Sequence, residues 1–397
     1  MNKILIITRA NYPSSSWGNR VRMIALGLLE NNIQVNVLIT NPWPTKSMIN
    51  ESSQDKFVKF LTKPAKKRRT ILSIFFQLTH LFKLKKELKK YDSLDFILLT
   101  GDRFLDCYVV SRYCKKTGTK LYVEIVDEIG KKFDAGKFNL YDKFAILNRQ
   151  LFNLLLNRID KIFVISNYLY DKYTKVLYNS KIIRTSPTFV NANHYKSLLI
   201  NNKLKHINIS IPENKVIISY VGSCLRPNGL FFFLENISTI IHKDKISNIH
   251  IVLVLHIGDL KIIQDFIHEK DIINYVSIYH GIPHNYIPSL YDSSDILVLP
   301  EQGNVVANAG FPGKVGEYLI SGKAIISTNF SDLSFYLIND YNCMISGIGD
   351  HLTYIKNLKT LIYDKEKRIN LGNNAIKTGL KYFNYSDAVK IYLNKAK

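Results

Sequence analysis

With 397 residues, 46% of them hydrophobic, the chain carries enough apolar material for one large core or two ordinary ones, and it needs no disulfides to hold them. Its net charge of +22 is lopsided: Lys and Arg against Asp and Glu give +19 for residues 1–200 (34 against 15) and +3 for the rest (20 against 17), which points the first half at a polyanionic partner. Cys107, Cys114, Cys224 and Cys343 lack CxxC spacing and histidines at zinc-finger distances, and no apolar run reaches the roughly 18 residues of a bilayer span, so a reduced, cytosolic, soluble or peripheral protein is expected.

In chain order, the apolar run KILIIT (Lys3–Thr8) is too short for a signal sequence and reads as a first buried strand, of the kind a parallel sheet covered on both faces requires. After the loop RANYPSSSWGNR, a helix is predicted to begin near Arg20, and the strand QVNVLIT follows it. This is a strand–helix–strand unit of doubly wound type. Between Lys63 and Tyr91, basic clusters flank Ile71, Ile74, Phe75, Leu78, Leu81, Phe82 and Leu84 at helical spacing, which predicts a basic amphipathic helix suited to an anionic membrane surface. Further strands are predicted at Asp95–Thr100, Lys120–Val126 and Lys161–Ser166. Asn and Pro then interrupt the periodicity near residues 190–212, which marks a boundary. A second series of strands runs through Lys215–Ser223, Ile249–Gly258, Val276–Gly281, Asp295–Pro300 and Lys323–Thr328. The expected division is 1–195, 196–375, and a basic terminal helix, 376–397, that crosses back to the first half.

Ligands of doubly wound sheets bind at the carboxyl ends of the strands, so the loops there hold the candidates. Gly18, after the first strand, allows close backbone approach to a ligand, although no GxGxxG is present. In SYVGSCLRPNGLFFFLENI, Gly222 and Ser223 end a strand and Arg226 lies in the loop before a helix. Such a loop can aim N–H groups, a hydroxyl and a guanidinium at a phosphate. In NAGFPGKVGEYLISGKAIIST, the loop Asn308, Ala309, Gly310, Phe311 precedes Pro312, which suits a first helical turn. Lys314 and Glu317 share one face at i, i+3 spacing, as a weak surface ion pair or as two separate grips, on phosphate and on sugar hydroxyls; the second reading is adopted. Glu124, Asp127 and Glu128 end a strand of the first half, where carboxylates can bind hydroxyls, assist proton transfer or start a helix. His256, His280 and His284 have no metal spacing and are read as structural.

Together YVGSCLRPNGL, DILVLP, SPTFVN and the block around Lys314 and Glu317 resemble the retaining nucleotide-sugar glycosyltransferases of family 4, of bacterial capsule or surface-polysaccharide type. The resemblance implies an α/β GT-B fold: two Rossmann-like doubly wound domains facing across a cleft, the donor held mainly by the second and the acceptor by the first. It matches Glu317 to the second, ribose-binding glutamate of a Glu-x7-Glu motif, with Ala309 where the first would stand. It gives the Asn308–Phe311 backbone and Lys314 a part in holding phosphate and sugar, and makes Arg226 the basic residue of the phosphate loop, with Asn228 and Gly229 where a lysine is usual. Asp127 matches the acidic member of a first-domain His-Asp or Arg-Asp element, with Val126 at the basic position. The expected activity is metal-independent sugar transfer, with no cofactor, from a nucleotide-diphosphate sugar, a UDP-sugar first, to a glycan or lipid-linked glycan at the inner membrane face. Lys314, Arg226 and Asp127 would do the chemistry. Two alternatives are a catalytically inactive relative acting as a partner in a polysaccharide complex, and a nucleic-acid-binding protein; the charge-poor second half holds no recognised nucleic-acid module, so no nucleic-acid partner is expected.

Overall fold

The continuous apolar runs become strands of two parallel sheets in a computed structural model of the chain, which describes residues 3–13, 15–64, 71–127, 140–222, 229–256, 260–303 and 308–393, with backbone alone for 71–76 and 140–142. The first sheet holds β1 (Lys3–Thr8), β2 (Gln34–Ile39), β3 (Val58–Phe60), β4 (Phe96–Thr100), β5 (Lys120–Ile125), β6 (Lys161–Val164) and β7 (Ile182–Arg184). Their order is β3-β2-β1-β4-β5-β6-β7, and all pair in parallel. The second sheet holds β8 (Val216–Gly222), β9 (Ile249–Leu255), β10 (Val276–His280), β11 (Ile296–Leu299), β12 (Ala324–Thr328) and β13 (Met344–Ser346), also all parallel, in the order β10-β9-β8-β11-β12-β13. Both sheets run outward from their first strand and then reverse, so the topological switch points fall between β1 and β4 and between β8 and β11.

Burial follows the sequence pattern. Residues 4–7 of β1 are fully buried and every residue of β9 is buried, because helices cover both faces of each sheet. Leu5, Ile7, Leu99 and Val123 pack into one core of the first sheet and Ile4, Ile6, Leu98 and Phe163 into the other, as strand alternation dictates. Ile218, Tyr220, Phe233, Ile251, Val298 and Ile326 belong to the core of the second sheet.

The chain divides into two compact units, Met1–Phe189 with Ala309–Phe311 and Tyr385–Lys397, and Val190–Asn308 with Pro312–Asn384. The helix Lys365–Phe383 is unbroken and belongs to the second unit, and the return to the first begins at Tyr385. Two corrections concern elements. The first helix starts at Ser16, four residues before Arg20, because the Ser15 hydroxyl caps it by accepting from the Gly18 N–H. Gly18 is therefore helical, and the backbone that crowds it is its own chain's: a Cβ there would stand 2.4 Å from the Asn11 carbonyl oxygen. In the helix Ile71–Leu88, Leu84 and Leu88 are buried with Gln77 and His80, whereas Leu78 and Phe82 face outward, Phe82 at 74% exposure. The basic cluster of residues 65–70 lies outside the described residues.

Within the first unit, Arg20 and Glu124 form a buried ion pair with Nη2 and Oε1 2.8 Å apart. The guanidinium also donates to the Pro187 and Ser186 carbonyls, each at 2.8 Å, and Tyr392 of the returning segment donates its hydroxyl to Glu124. Glu124 is thus a structural carboxylate that ties the first helix to β5 and to the chain's end. Removing one partner of such a pair strands a charge without water, at a cost of about 3–5 kcal/mol. Arg20→Met is expected to destabilise the first unit by that amount, read from the urea midpoint of tryptophan fluorescence, since Trp17 and Trp43 both lie in this unit. A loss below about 1 kcal/mol would contradict the role given to the pair.

Candidate functional site

The switch point of the second sheet brings together the ends of β8 and β11. Gly222 closes β8, and Gly229, at φ +70°, opens the helix Leu230–Asp244. A Cβ on Gly229 would lie 1.5 Å from the Pro300 carbonyl oxygen, so the backbone at 229 packs against the residue after β11 and the position must be Gly. Ser223 and Arg226, predicted for this loop, lie outside the described residues. Gly229 at the N-cap has no side chain to offer, so among the described residues no side-chain cap satisfies the first N–H groups of the helix Leu230–Asp244.

Lys314 opens the short helix Lys314–Ser321, and its ammonium reaches the same place. Nζ donates to the Val221 carbonyl at 2.8 Å, stands 4.9 Å from the centre of the Tyr220 ring, and would be 3.2 Å from a Cβ on Gly222. Burial lowers its pKa below that of a free lysine, while the nearby Glu301 carboxylate opposes the shift. An ammonium partly stripped of water, with a single hydrogen bond to the protein among the described residues, is prepared to receive an anion.

Glu317, three residues on, turns elsewhere. Its carboxylate is 25% exposed and lies 3.3 Å from Nε2 of His284, in the turn after β10. The hydrogen bond that His284 donates to the Glu317 carboxylate raises its pKa above the usual histidine value, whereas desolvation and the neighbouring His280, His284 and Lys314 lower that of His256. Lys314 and Glu317 thus address different partners, and His256, His280 and His284 stand at or just past the ends of β9 and β10. The sequence reading assigned these histidines no role. The available signal was position: His256 follows the last residue of β9 and His280 is the last residue of β10.

The rigidity of the Lys314–Ser321 helix comes from its back. Val315, Tyr318 and Leu319 are buried, Tyr318 meets the Tyr291 ring edge-on at 5.1 Å, and Gly372 and Gly379 of the helix Lys365–Phe383 let that helix approach closely. A Cβ on Gly372 would be 2.0 Å from the Gly322 carbonyl oxygen.

The loop before this helix divides between the two units. Asn308 stays with the second unit and accepts from Ser331 at 3.3 Å, but Ala309, Gly310 and Phe311 belong to the first unit. Ala309 has no exposure, sits in that unit's core, and its carbonyl accepts the Ser166 hydroxyl at 2.8 Å. A glutamate at 309 would place a carboxylate among Leu and Ile side chains, so alanine is the residue this packing admits.

In the first unit, Asp127 lies just past β5. Arg149 bridges it to Asp102 beyond β4, with Arg149–Asp127 at 3.0 Å and Arg149–Asp102 at 2.5 Å. A cation therefore does stand beside Asp127, supplied by Arg149 where Val126 offered none. At the neighbouring ends of β1 and β4, Arg9 grips Asp106 and the Gln77 carbonyl, which Arg103 shares. Asp102 and Arg149 went unnoticed in sequence because they are 47 positions apart and join only through the fold.

Two parallel α/β sheets of this order, each with polar groups at the strand carboxyl ends, are the two Rossmann-like domains of the GT-B fold. More narrowly, residues 201–378 match the family described as Glycosyl transferases group 1. Among solved structures, a glycosyltransferase from Rickettsia africae aligns at TM-score 0.72 and 15% identity over 99% of this chain and 97% of its own. Sucrose-phosphate synthase from Thermosynechococcus elongatus aligns at 0.73 and 15% over 98% and 97%, and HepE from Anabaena in complex with UDP at 0.71 and 12% over 99% and 98%. Comparison with curated protein sequences finds no match.

The His284–Glu317 contact carries a pH dependence. The folded pKa of His284 lies above the unfolded value of about 6.5, so its contribution is complete below that pH and is lost as pH rises through the folded value. The melting-temperature gap between the native protein and His284→Ala is expected to be larger at pH 5.5 than at pH 9; an equal gap would remove the pair as a stabilising contact.

Proposed function

We propose that the protein transfers a sugar from a nucleotide-diphosphate sugar to a glycan or lipid-linked glycan of bacterial surface-polysaccharide type, with retention of anomeric configuration. The observation that carries this reading is the Lys314 ammonium, partly buried and hydrogen-bonded to the Val221 carbonyl near the end of β8, at the switch point of a domain matching Glycosyl transferases group 1. In this reading the diphosphate lies against Lys314, the N–H groups at the start of Leu230–Asp244, and Arg226 and Ser223. Their fixed positive charge stabilises the diphosphate as the bond from the sugar's anomeric carbon to its oxygen breaks, with no metal required for that task. The acceptor hydroxyl attacks from the face the diphosphate leaves. Glu317 accepts from the ribose hydroxyls, with His284 orienting its carboxylate. A UDP-sugar is the first donor to test, since HepE has been solved with UDP and with UDP-glucose.

The acceptor side of the proposal rests on the first unit. Asp127, held by Arg149, is its candidate for receiving an acceptor hydroxyl. The helix Ile71–Leu88 presents Leu78 and Phe82 to solvent beside Lys85, Lys86 and Lys89, the composition of a surface that lies on anionic lipid. Among the described residues no helix is long and apolar enough to cross a membrane, so contact of this kind would be peripheral.

Thermal shift against UDP, GDP, ADP and their sugars tests the donor site directly, because a ligand raises the melting temperature of the state it binds. Lys314→Ala is expected to lower kcat by about 10²–10³-fold, the loss typical of removing one donor to a developing oxyanion. Glu317→Ala is expected to weaken nucleotide binding about tenfold, equivalent to about 1.4 kcal/mol. If nucleotide raises the melting temperature but native protein and Lys314→Ala are equally inactive, the inactive-partner reading, which the buried Ala309 favours, takes its place. Separately, Phe82→Asp is expected to reduce flotation with anionic vesicles while leaving nucleotide binding unchanged.

A further inference from the structure

The first unit carries a second basic concavity, at the opposite edge of its sheet from the polar networks of Asp127 and Arg9. It is a pocket of about 590 Å³ lined by Tyr108, Arg112 and Lys115 of the helix Phe104–Thr117, by Lys120 at the start of β5, by Arg158 and by Asp160. Lys120 is the first residue of β5 and Asp160 immediately precedes β6, so the pocket opens at the amino ends of the strands.

Four cations converge on this space against a single carboxylate. That carboxylate is committed to the fold, since Asp160 accepts from the Leu121 N–H at 2.7 Å and so fixes the start of β5 beside β6. Among the described residues no ion pair joins Arg112, Lys115, Lys120 or Arg158 to any acid. Two of the guanidiniums instead flank one ring: Arg112 and Arg158 lie 5.8 and 5.6 Å from the centre of Tyr108, and Arg112 donates to its hydroxyl at 3.0 Å.

Helix polarity explains part of this. Lys115 is in the last turn of its helix and Arg158 ends the turn Leu151–Arg158, where cations complement the helix dipole. That argument does not reach Arg112, one turn earlier, or Lys120, on a strand. It also gives no reason for all four to line one space, where they repel one another until an anion enters. The volume falls within the range of small-molecule sites, about 300–1,000 Å³. The paired guanidiniums suit the planar, multidentate recognition of phosphate oxygens. Beside the rim, Leu154 is 71% exposed three residues before Asn157 of the pocket lining. In a 3₁₀ turn that spacing stacks the two side chains, placing an apolar surface next to the cations.

We infer that this pocket binds the phosphate group of a small organic anion, either a soluble phosphate ester or the headgroup of an anionic lipid. The inference does not depend on the donor-site reading.

The test compares Arg112→Ala/Arg158→Ala with Lys46→Ala/Lys175→Ala, which removes the same charge from the same unit away from the pocket. Both pairs are built on Lys314→Ala, so that a diphosphate site in the second unit does not contribute. Calorimetry with inorganic pyrophosphate reads the soluble ligand; flotation with phosphatidylglycerol vesicles, against phosphatidylcholine vesicles, reads the lipid. A tenfold or greater loss of pyrophosphate affinity in the pocket variant alone supports a soluble phosphate. Unchanged pyrophosphate binding with selective loss of phosphatidylglycerol flotation supports a lipid headgroup. Pocket and control variants that cannot be told apart in both assays overturn the inference. All four positions are exposed, so each variant is expected to fold, and its circular dichroism melt verifies this.

Discussion

Parallel pairing is the constraint on which the molecule's chemistry depends. Every strand of both sheets pairs in parallel, so each connection must return over a face, and all carboxyl ends of a sheet come to lie along one edge. The central strands, β4, β9 and β11 among them, are too thoroughly buried to carry functional polar groups. Polar residues gather where the chain leaves them: Gly222 and Lys314 at the end of β8, His256 and His280 at the ends of β9 and β10, Asp102 and Asp127 past β4 and β5. Reversal of strand order at β8/β11 then opens the space into which one short helix delivers its first residue.

That helix has only eight residues and would not hold its shape alone. Its geometry is imposed from behind, by Tyr318 against Tyr291 and by the close approach that Gly372 and Gly379 allow. Because the backbone is held, two side chains at i, i+3 can point at different targets instead of at each other. Lys314 reaches along β8 to the Val221 carbonyl, and Glu317 reaches across to His284. Charge separation on one helical turn is thus a product of packing, with little contribution from helix propensity.

How much of this was legible follows from where the information is stored. The ten longer strands announce themselves as apolar runs, whereas β3, β7 and β13 have three residues each, lie at sheet edges and carry no period to read. The start of the first helix was misplaced because the Ser15 cap outweighs the loop-like composition around Gly18. Lys314 and Glu317 were legible because loop, Pro and helix stand in sequence order. The Asp102–Arg149–Asp127 network and the His284 contact were not, since each joins residues whose proximity exists only after folding. Ala309 was legible as an anomaly of the resemblance; its cause, burial in the first unit, required the structure.

The charge asymmetry can now be assigned to places. Along the carboxyl edge of the first sheet the arginines are matched by acids: Arg9 with Asp106, Arg149 with Asp102 and Asp127, Arg20 with Glu124. Those pairs fix loops and contribute little net field. The excess of +19 in residues 1–200 must therefore come from residues elsewhere, among them Lys85 and Lys86 of the helix Ile71–Leu88, Lys89 just after it, and the four cations of the opposite-edge pocket. Under the proposed function, a polyanionic partner drawn by that field would meet these parts of the first unit, and a neutral hydroxyl would suit the carboxyl edge, where every guanidinium named already has its acid. A parallel sheet has two chemically different ends, so one domain can offer both kinds of surface.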